Sequence, residues 1–126
     1  IRKGRDIVFT TDVDENLENE PIPALILQPI IENAIQHGLP EDKSKHFEIS
    51  ISAKRNGQYI IICVLNNGNP ISNFQPGIGL SLLAKKLESQ GGKLILKSKN
   101  PPCFMVKLPI LSIKGYKIAY ESSNSR

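Results

Sequence analysis

Between Leu27 and Gly38 the apolar residues recur at helical spacing. Leu27, Ile30, Ile31, Ala34 and Ile35 fall on one side, while Glu32, Asn33, Gln36 and His37 gather on the other. The first side can be buried; the second is a compact polar cluster in which Asn33 and His37 stand one turn apart. Gly38, followed by Leu39-Pro40, predicts the helix end as a C′ glycine with a proline behind it. Upstream, Pro23 suits the first helical position, where its missing N–H costs nothing. Pro29 lies six residues further in and predicts a kink, or an unpaired carbonyl near Leu25.

The remaining pattern reads mostly as strands. Residues 6–13 alternate Ile7, Phe9, Thr11 and Val13 against Asp6, Val8, Thr10 and Asp12, as an edge strand would, and the acidic stretch after them reads as a loop to Glu20. His46–Lys54 places Phe47, Ile49, Ile51 and Ala53 inward, with Glu48, Ser50, Ser52 and Lys54 outward. Asn56-Gly57 predicts a type I′ hairpin into the continuous apolar run Tyr59–Leu65, which suits a central strand. Asn66–Pro76 is dense in Asn, Gly and Pro and reads as a loop. A second amphipathic helix opens at Gly77, buries Leu80, Leu83, Ala84 and Leu87, and stops at Gly91-Gly92. Two strands follow, Lys93–Lys99 and one carrying Phe104, Val106 and Leu108.

The order β-α-β-β-α-β-β, with one apolar face on each helix, predicts an α/β two-layer sandwich: a mixed, mainly antiparallel sheet with both helices on one face. From Lys114 onward no core pattern continues, so 113–126 reads as a frayed tail behind a domain spanning 1–112.

A chain of 126 residues holds one core. Its net charge of +4 favours anionic partners, but Lys and Arg are spread along the chain, so nucleic acid is not indicated. Lys93, Lys97 and Lys99 read as the guard of a sheet edge. Cys63 and Cys103 have neither CxxC spacing nor a His pair nearby, so a zinc site is unsupported and two reduced structural thiols are expected. No apolar run is long enough to cross a bilayer, so no membrane contact is expected of this piece. The absence of an initiator Met suggests a fragment of a longer protein, any anchor of which would lie outside it.

Three polar stations interrupt the packing pattern: Glu32-Asn33 with His37; Asn66-Asn67-Gly68 at the end of the most buried strand; and Gly77-Ile78-Gly79 at a helix start. Each alone has an ordinary explanation, as solvated helix residues, a turn, or a flexible loop. Their order is more telling. LQPIIENAIQHG resembles the N box of the GHKL (Bergerat) ATP-binding fold, and more closely that of LytS-like sensor histidine kinases. NNGNP is similar to the first glycine box, and GIGLSLLAKKLESQGG to the second glycine box with its helix; the resemblance runs from about Arg2 to Ile110.

The resemblance implies the ATP-binding catalytic domain of a two-component sensor histidine kinase, using ATP and Mg²⁺ to phosphorylate a histidine. That acceptor would lie on upstream dimerisation helices absent from this chain, so the piece alone would not phosphorylate itself. It further implies a response regulator as indirect partner, and a cytoplasmic domain of a membrane-anchored protein. Asn33 would give its amide oxygen to Mg²⁺, and His37 would help hold phosphate. Asn66 would serve the base, and Gly68 is a further nucleotide-binding residue that the resemblance implies. Gly77, Ile78, Gly79 and Leu80 would bring a helix N-terminus to the phosphates. Residues 69–76 would form a short lid. Glu32 is a catalytic candidate, polarising the acceptor imidazole or assisting the metal. The sites are expected to converge around a magnesium triphosphate in one shallow cavity above the sheet.

The pattern departs from the family at three places. Asn66 stands where Asp usually accepts the adenine amino group, Gln36 where Lys is common, and Pro101-Pro102-Cys103 where Gly-Thr often precedes the last strand. These imply weak ATP affinity and admit a second function, a degenerate pseudokinase or nucleotide-sensing module that transfers no phosphate.

Overall fold

The computed structural model describes residues 6–17 and 24–111. The expectations for Pro23 and for a tail over 113–126 lie outside them. The strands are β1 (Ile7–Val13), β2 (Phe47–Asn56), β3 (Tyr59–Asn66), β4 (Lys93–Lys99) and β5 (Pro102–Pro109); the helices are α1 (Ala24–Asn33) and α2 (Ile78–Ser89). The strands form one sheet in the order β1-β2-β3-β5-β4. Only the β1–β2 pair is parallel; β2–β3, β3–β5 and β5–β4 are antiparallel. Both helices pack on one face, giving the expected mixed α/β sandwich.

Alternation decides which face is covered. Phe47, Ile49 and Ala53 of β2, Ile60, Ile62 and Val64 of β3, and Phe104, Val106 and Leu108 of β5 are buried against Ile26, Ile30 and Ala34 of α1 and its extension and against Leu80, Leu83 and Leu87 of α2. Burying such side chains stabilises by about 1.5–3 kcal/mol each, which makes this layer the main source of folding energy. β3 is central, as expected, but Ile61 and Cys63 on its other face are only half-buried and Leu65 is exposed.

Four local details differ from the sequence reading. The stretch after Asp14 is not all loop: a 3₁₀ turn at Glu15–Leu17 buries Leu17 in the core, with the Leu17 N–H donating to the Asp14 carbonyl at 2.8 Å. The hairpin between β2 and β3 pairs Asn56 with Tyr59, so its loop is Gly57-Gln58. Gly57 has φ +62°, and no non-glycine among the described residues has positive φ, which fits type II′ rather than I′. Pro29 is accommodated inside α1. Finally, Gly38 is not a left-handed cap: α1 runs on into a π-helical turn, Ala34–Gly38, and exits through Leu39 in an extended conformation. Gly91, by contrast, does end α2 in the left-handed region, at φ +82°.

Candidate functional site

The π turn is where the polar cluster sits. A π turn carries one residue more than an α turn would, and such turns are frequent at functional sites. Asn33 at the end of α1 and His37 in the π turn both line one cavity, together with Ala34 and Gly38. Neither the Asn33 amide nor the His37 ring has a hydrogen-bond partner among the described residues. Glu32 is exposed and is not part of the cavity wall.

The opposite wall comes from the end of β3. Asn66 is only 6% exposed and is the sole buried polar residue described. Its Oδ1 accepts the Gly68 N–H at 2.9 Å, which fixes the amide orientation: the oxygen is engaged, and the Nδ2 donor has no partner among the described residues. An acceptor offered to a base is therefore not the simplest consequence of Asn66, because its oxygen already serves the backbone.

Two glycines make this approach possible. A Cβ on Gly68 would overlap the Gly38 carbonyl and the Phe47 ring, and a Cβ on Gly38 would stand 3.0 Å from Asn66 Oδ1. The N-box-like and first glycine-box-like segments thus touch backbone to backbone, and the Asn69 N–H donates to the Gly38 carbonyl at 2.7 Å. Asn67 points elsewhere: its Oδ1 accepts from Glu48 N–H at 2.8 Å and its Nδ2 donates to the His46 carbonyl at 3.2 Å, pinning the start of β2.

The loop that follows roofs the cavity with Asn69, Ile71, Phe74 and Gln75, and Pro102 of β5 closes one side. Beyond Asn69 the loop is tied down at two further points: the Ile71 N–H donates to the Lys99 carbonyl at 2.9 Å, and the Phe74 ring lies 5.5 Å from that of Phe104 at 59°. The cavity is partly open to solvent and has a volume of about 200 Å³. That space suits a planar base but is smaller than the pockets that enclose a whole cofactor, roughly 300–1,000 Å³.

The third station is not part of that wall. Gly77 caps α2 without any side-chain hydrogen bond, so the first N–H groups of α2 have no side-chain cap. Ile78 and Gly79 are exposed, whereas Leu80 turns into the core. The lining ends at Gln75, two residues short of Gly77. Gly77 and Gly79 are not demanded by packing: a Cβ would meet nothing within 4 Å at Gly77 and only the Pro29 Cβ, at 3.7 Å, at Gly79. Sequence reasoning did not single out Ala34, Gly38, Ile71, Phe74 or Pro102 as site residues. Phe74, the one aromatic in a polar loop, is the signal that was available.

The donor set admits magnesium in one way. Among the described residues no group of three or more His, Cys, Asp or Glu could hold a metal ion. A Mg²⁺ at Asn33 would have one hard protein oxygen and would depend on phosphate and water for the rest, a usual arrangement for this ion.

No protein-family model matches the chain. In sequence it is similar to sensor histidine kinases. It is 34% identical over 85 residues to the sensor histidine kinase BtsS of Escherichia coli strain K12, covering 64% of this chain and 14% of that protein. It is 38% identical over 85 residues to the sensor histidine kinase YesM of Bacillus subtilis strain 168, covering 68% and 13%. The chain thus spans about one seventh of the length of these relatives. In fold it is similar to the histidine kinase domain of the Erythrobacter litoralis EL346 blue-light activated histidine kinase, with a TM-score of 0.67, 15% identity, and 86% and 54% of the two chains covered. The fold is therefore that of a GHKL-type histidine kinase catalytic domain; neither likeness selects a LytS-like branch.

Proposed function

We propose that this chain is the ATP-binding catalytic domain of a sensor histidine kinase, passing the γ-phosphoryl group of ATP to a histidine on dimerisation helices elsewhere in the protein. The observation that carries the reading is the meeting of Asn33, His37 and Asn66, from separate segments, around one roofed cavity. An open helix N-terminus begins two residues past its edge.

The base would enter between Asn66, Ile71 and Phe74, where two half-buried apolar side chains and a single buried amide in an otherwise polar lining suit a planar heterocycle. The triphosphate would leave the cavity past Asn33 and His37 toward the N-terminus of α2. There the glycines at 77 and 79, which packing does not require, let the backbone N–H groups approach phosphate oxygens. Magnesium, held by Asn33 and the phosphates, would neutralise charge during transfer. His37 donates toward a phosphate oxygen, and Glu32, exposed beside Asn33, is free to meet the acceptor imidazole. The cavity by volume takes the base alone, so the triphosphate would lie outside it.

Among the described residues no helix is long and apolar enough to cross a membrane. Membrane anchoring, the acceptor helices and a response regulator belong to the longer protein under this reading, with the present domain on the cytoplasmic side.

Asn66 favours a second reading, a nucleotide-sensing module without phosphotransfer, because its oxygen is already engaged by Gly68. Thermal unfolding with ATP or ADP plus Mg²⁺ separates the two from an empty fold. A hundredfold excess over the dissociation constant stabilises by about 2.7 kcal/mol, and no shift at millimolar nucleotide would refute both. Adding the purified acceptor helices with labelled ATP then distinguishes kinase from module: labelled phosphohistidine supports the first, bound but untransferred nucleotide the second.

A further inference from the structure

The chain has two cysteines and one methionine. All three are brought together on the sheet face opposite the helices. Cys63 of β3 stands directly across from Met105 of β5, and Cys103 lies two residues before Met105, opposite Leu65. Strand alternation puts these residues on one side and Ile62, Val64, Phe104 and Val106 on the other, in the core. Ile95 of β4 faces Met105 from the far side. Cys63 and Met105 are half-buried, and Cys103 is only 8% exposed.

The register makes the two cysteines diagonal neighbours on that face, with Met105 directly across from Cys63 and two residues along from Cys103. Burial, together with the neighbouring Cys63, pushes the Cys103 thiol up from its ordinary range, while the Lys97 ammonium draws it down. Both sulfurs are free of disulfide.

We propose that Cys63, Cys103 and Met105 form a three-sulfur site for a soft monovalent metal ion, Cu(I). Two thiols and a thioether are the donor set that selects Cu(I) over harder cations. Zinc would need a fourth nitrogen, sulfur or carboxylate ligand, and among the described residues no third His, Cys, Asp or Glu joins the pair. A disulfide fits less well. The cysteines are diagonal rather than opposite, and diagonal pairs are about 7–8 Å apart, beyond the usual span of a bridge. Metal–sulfur bonds of about 2.3 Å instead let sulfurs stay roughly 4 Å apart.

In the binding step Cu(I) forms bonds to both thiolate sulfurs as the two S–H bonds break, and two protons pass to solvent. The Met105 thioether donates a lone pair with no bond broken, and no electron is transferred. The product carries one net negative charge at the metal, which the Lys97 ammonium beside Cys103 offsets. Ile61, Leu65 and Ile95 on the same face supply apolar surroundings. This inference is independent of the nucleotide reading.

The test is an anaerobic titration of the reduced chain with Cu(I), in competition with the chromophoric chelator bicinchoninate. Wild type should withdraw one Cu(I) per chain and develop sulfur-to-copper absorption in the near ultraviolet. Cys63→Ser and Cys103→Ser should lose both signals. Met105→Leu conserves volume and should fold normally, while weakening retention by roughly tenfold or more, about 1.4 kcal/mol. It carries the test if either serine variant fails to fold. The proposal is overturned if wild type takes no copper from the chelator, if a folded cysteine variant still holds one equivalent, if Met105→Leu binds as tightly as wild type, or if Zn²⁺ displaces Cu(I) mole for mole.

Discussion

Replacing Asn66 by Asp should tighten ATP binding and weaken the empty fold at the same time. In the wild type the Asn66 Oδ1 accepts the Gly68 N–H at 2.9 Å, and Nδ2 is left as an unpartnered donor at a position 6% exposed. A carboxylate keeps the Gly68 bond and turns the orphan donor into a second acceptor, the group an adenine amino hydrogen needs. Hydrogen bonds to charged groups contribute about 1.5–3 kcal/mol against about 0.5–1.5 for neutral ones. The gain is then about 1–1.5 kcal/mol, a factor of roughly five to ten in the dissociation constant. Against it stands the desolvation of a nearly buried charge, which costs the apo protein about 1–3 kcal/mol even with one backbone partner. Calorimetry with ATP·Mg²⁺ reads the first effect and thermal unfolding without nucleotide the second. The base itself gives a control that a merely structural change would not move. Guanine offers an oxygen acceptor where adenine offers an amino donor, so Asn66 with its free Nδ2 should show no preference for ATP over GTP, and the Asp variant a strong one for ATP. An unchanged ATP-to-GTP ratio in a folded Asn66→Asp protein would show that residue 66 does not face the base.

Four further outcomes follow from the structure. Asn33→Ala should remove the magnesium-dependent part of ATP affinity and leave binding in EDTA unaltered; equal affinity in both proteins with Mg²⁺ present would end the metal role. Gly68→Ala should lose about 2–4 kcal/mol by urea denaturation, since its Cβ overlaps the Gly38 carbonyl. Gly77→Ala should stay within about 1 kcal/mol of wild type yet weaken ATP binding. Equal stability for the two alanine variants would contradict the close approach at Gly38. In the reduced protein, iodoacetamide at neutral pH should modify Cys63 before Cys103: the Cys103 thiol is raised above its ordinary value of 9.0, so less of it is thiolate until the pH climbs past that value. Faster labelling of Cys103 by peptide mass analysis would reverse that assignment.

The sheet and its covered face are legible in the sequence because they rest on short-range alternation. Phe47, Ile49 and Ala53, or Ile60, Ile62 and Val64, can face one core only if each strand runs as read. The hairpin position is legible for the same reason, but its type is not. Asn-Gly admits two registers, and the pairing of Asn56 with Tyr59 moves the turn one residue on. What depends on contact through space is hidden. Gly38 looks like a helix cap, yet its lack of a side chain serves Asn66 and Gly68, some thirty residues away. At the candidate site, the nearness of Asn33 to His37 follows from helical spacing alone. That the Asn66 oxygen is spent on a backbone N–H, and that the roof ends before Gly77, follow from loop geometry that composition does not encode. The placing of Cys63, Cys103 and Met105 on one sheet face is likewise a product of strand register, since Cys63 and Cys103 are separated by an entire helix and strand.

The π turn at Ala34–Gly38 bears on how this segment can change over generations. A π turn holds one residue more than an α turn, and removing any one of the five would let it close as an ordinary turn. Everything downstream would then swing by about 100°, the angle one residue subtends, carrying Gly38 away from Asn66. The number of residues in this turn is thus set by the contact of Gly38 with Asn66, whatever the exposed side chain at position 36.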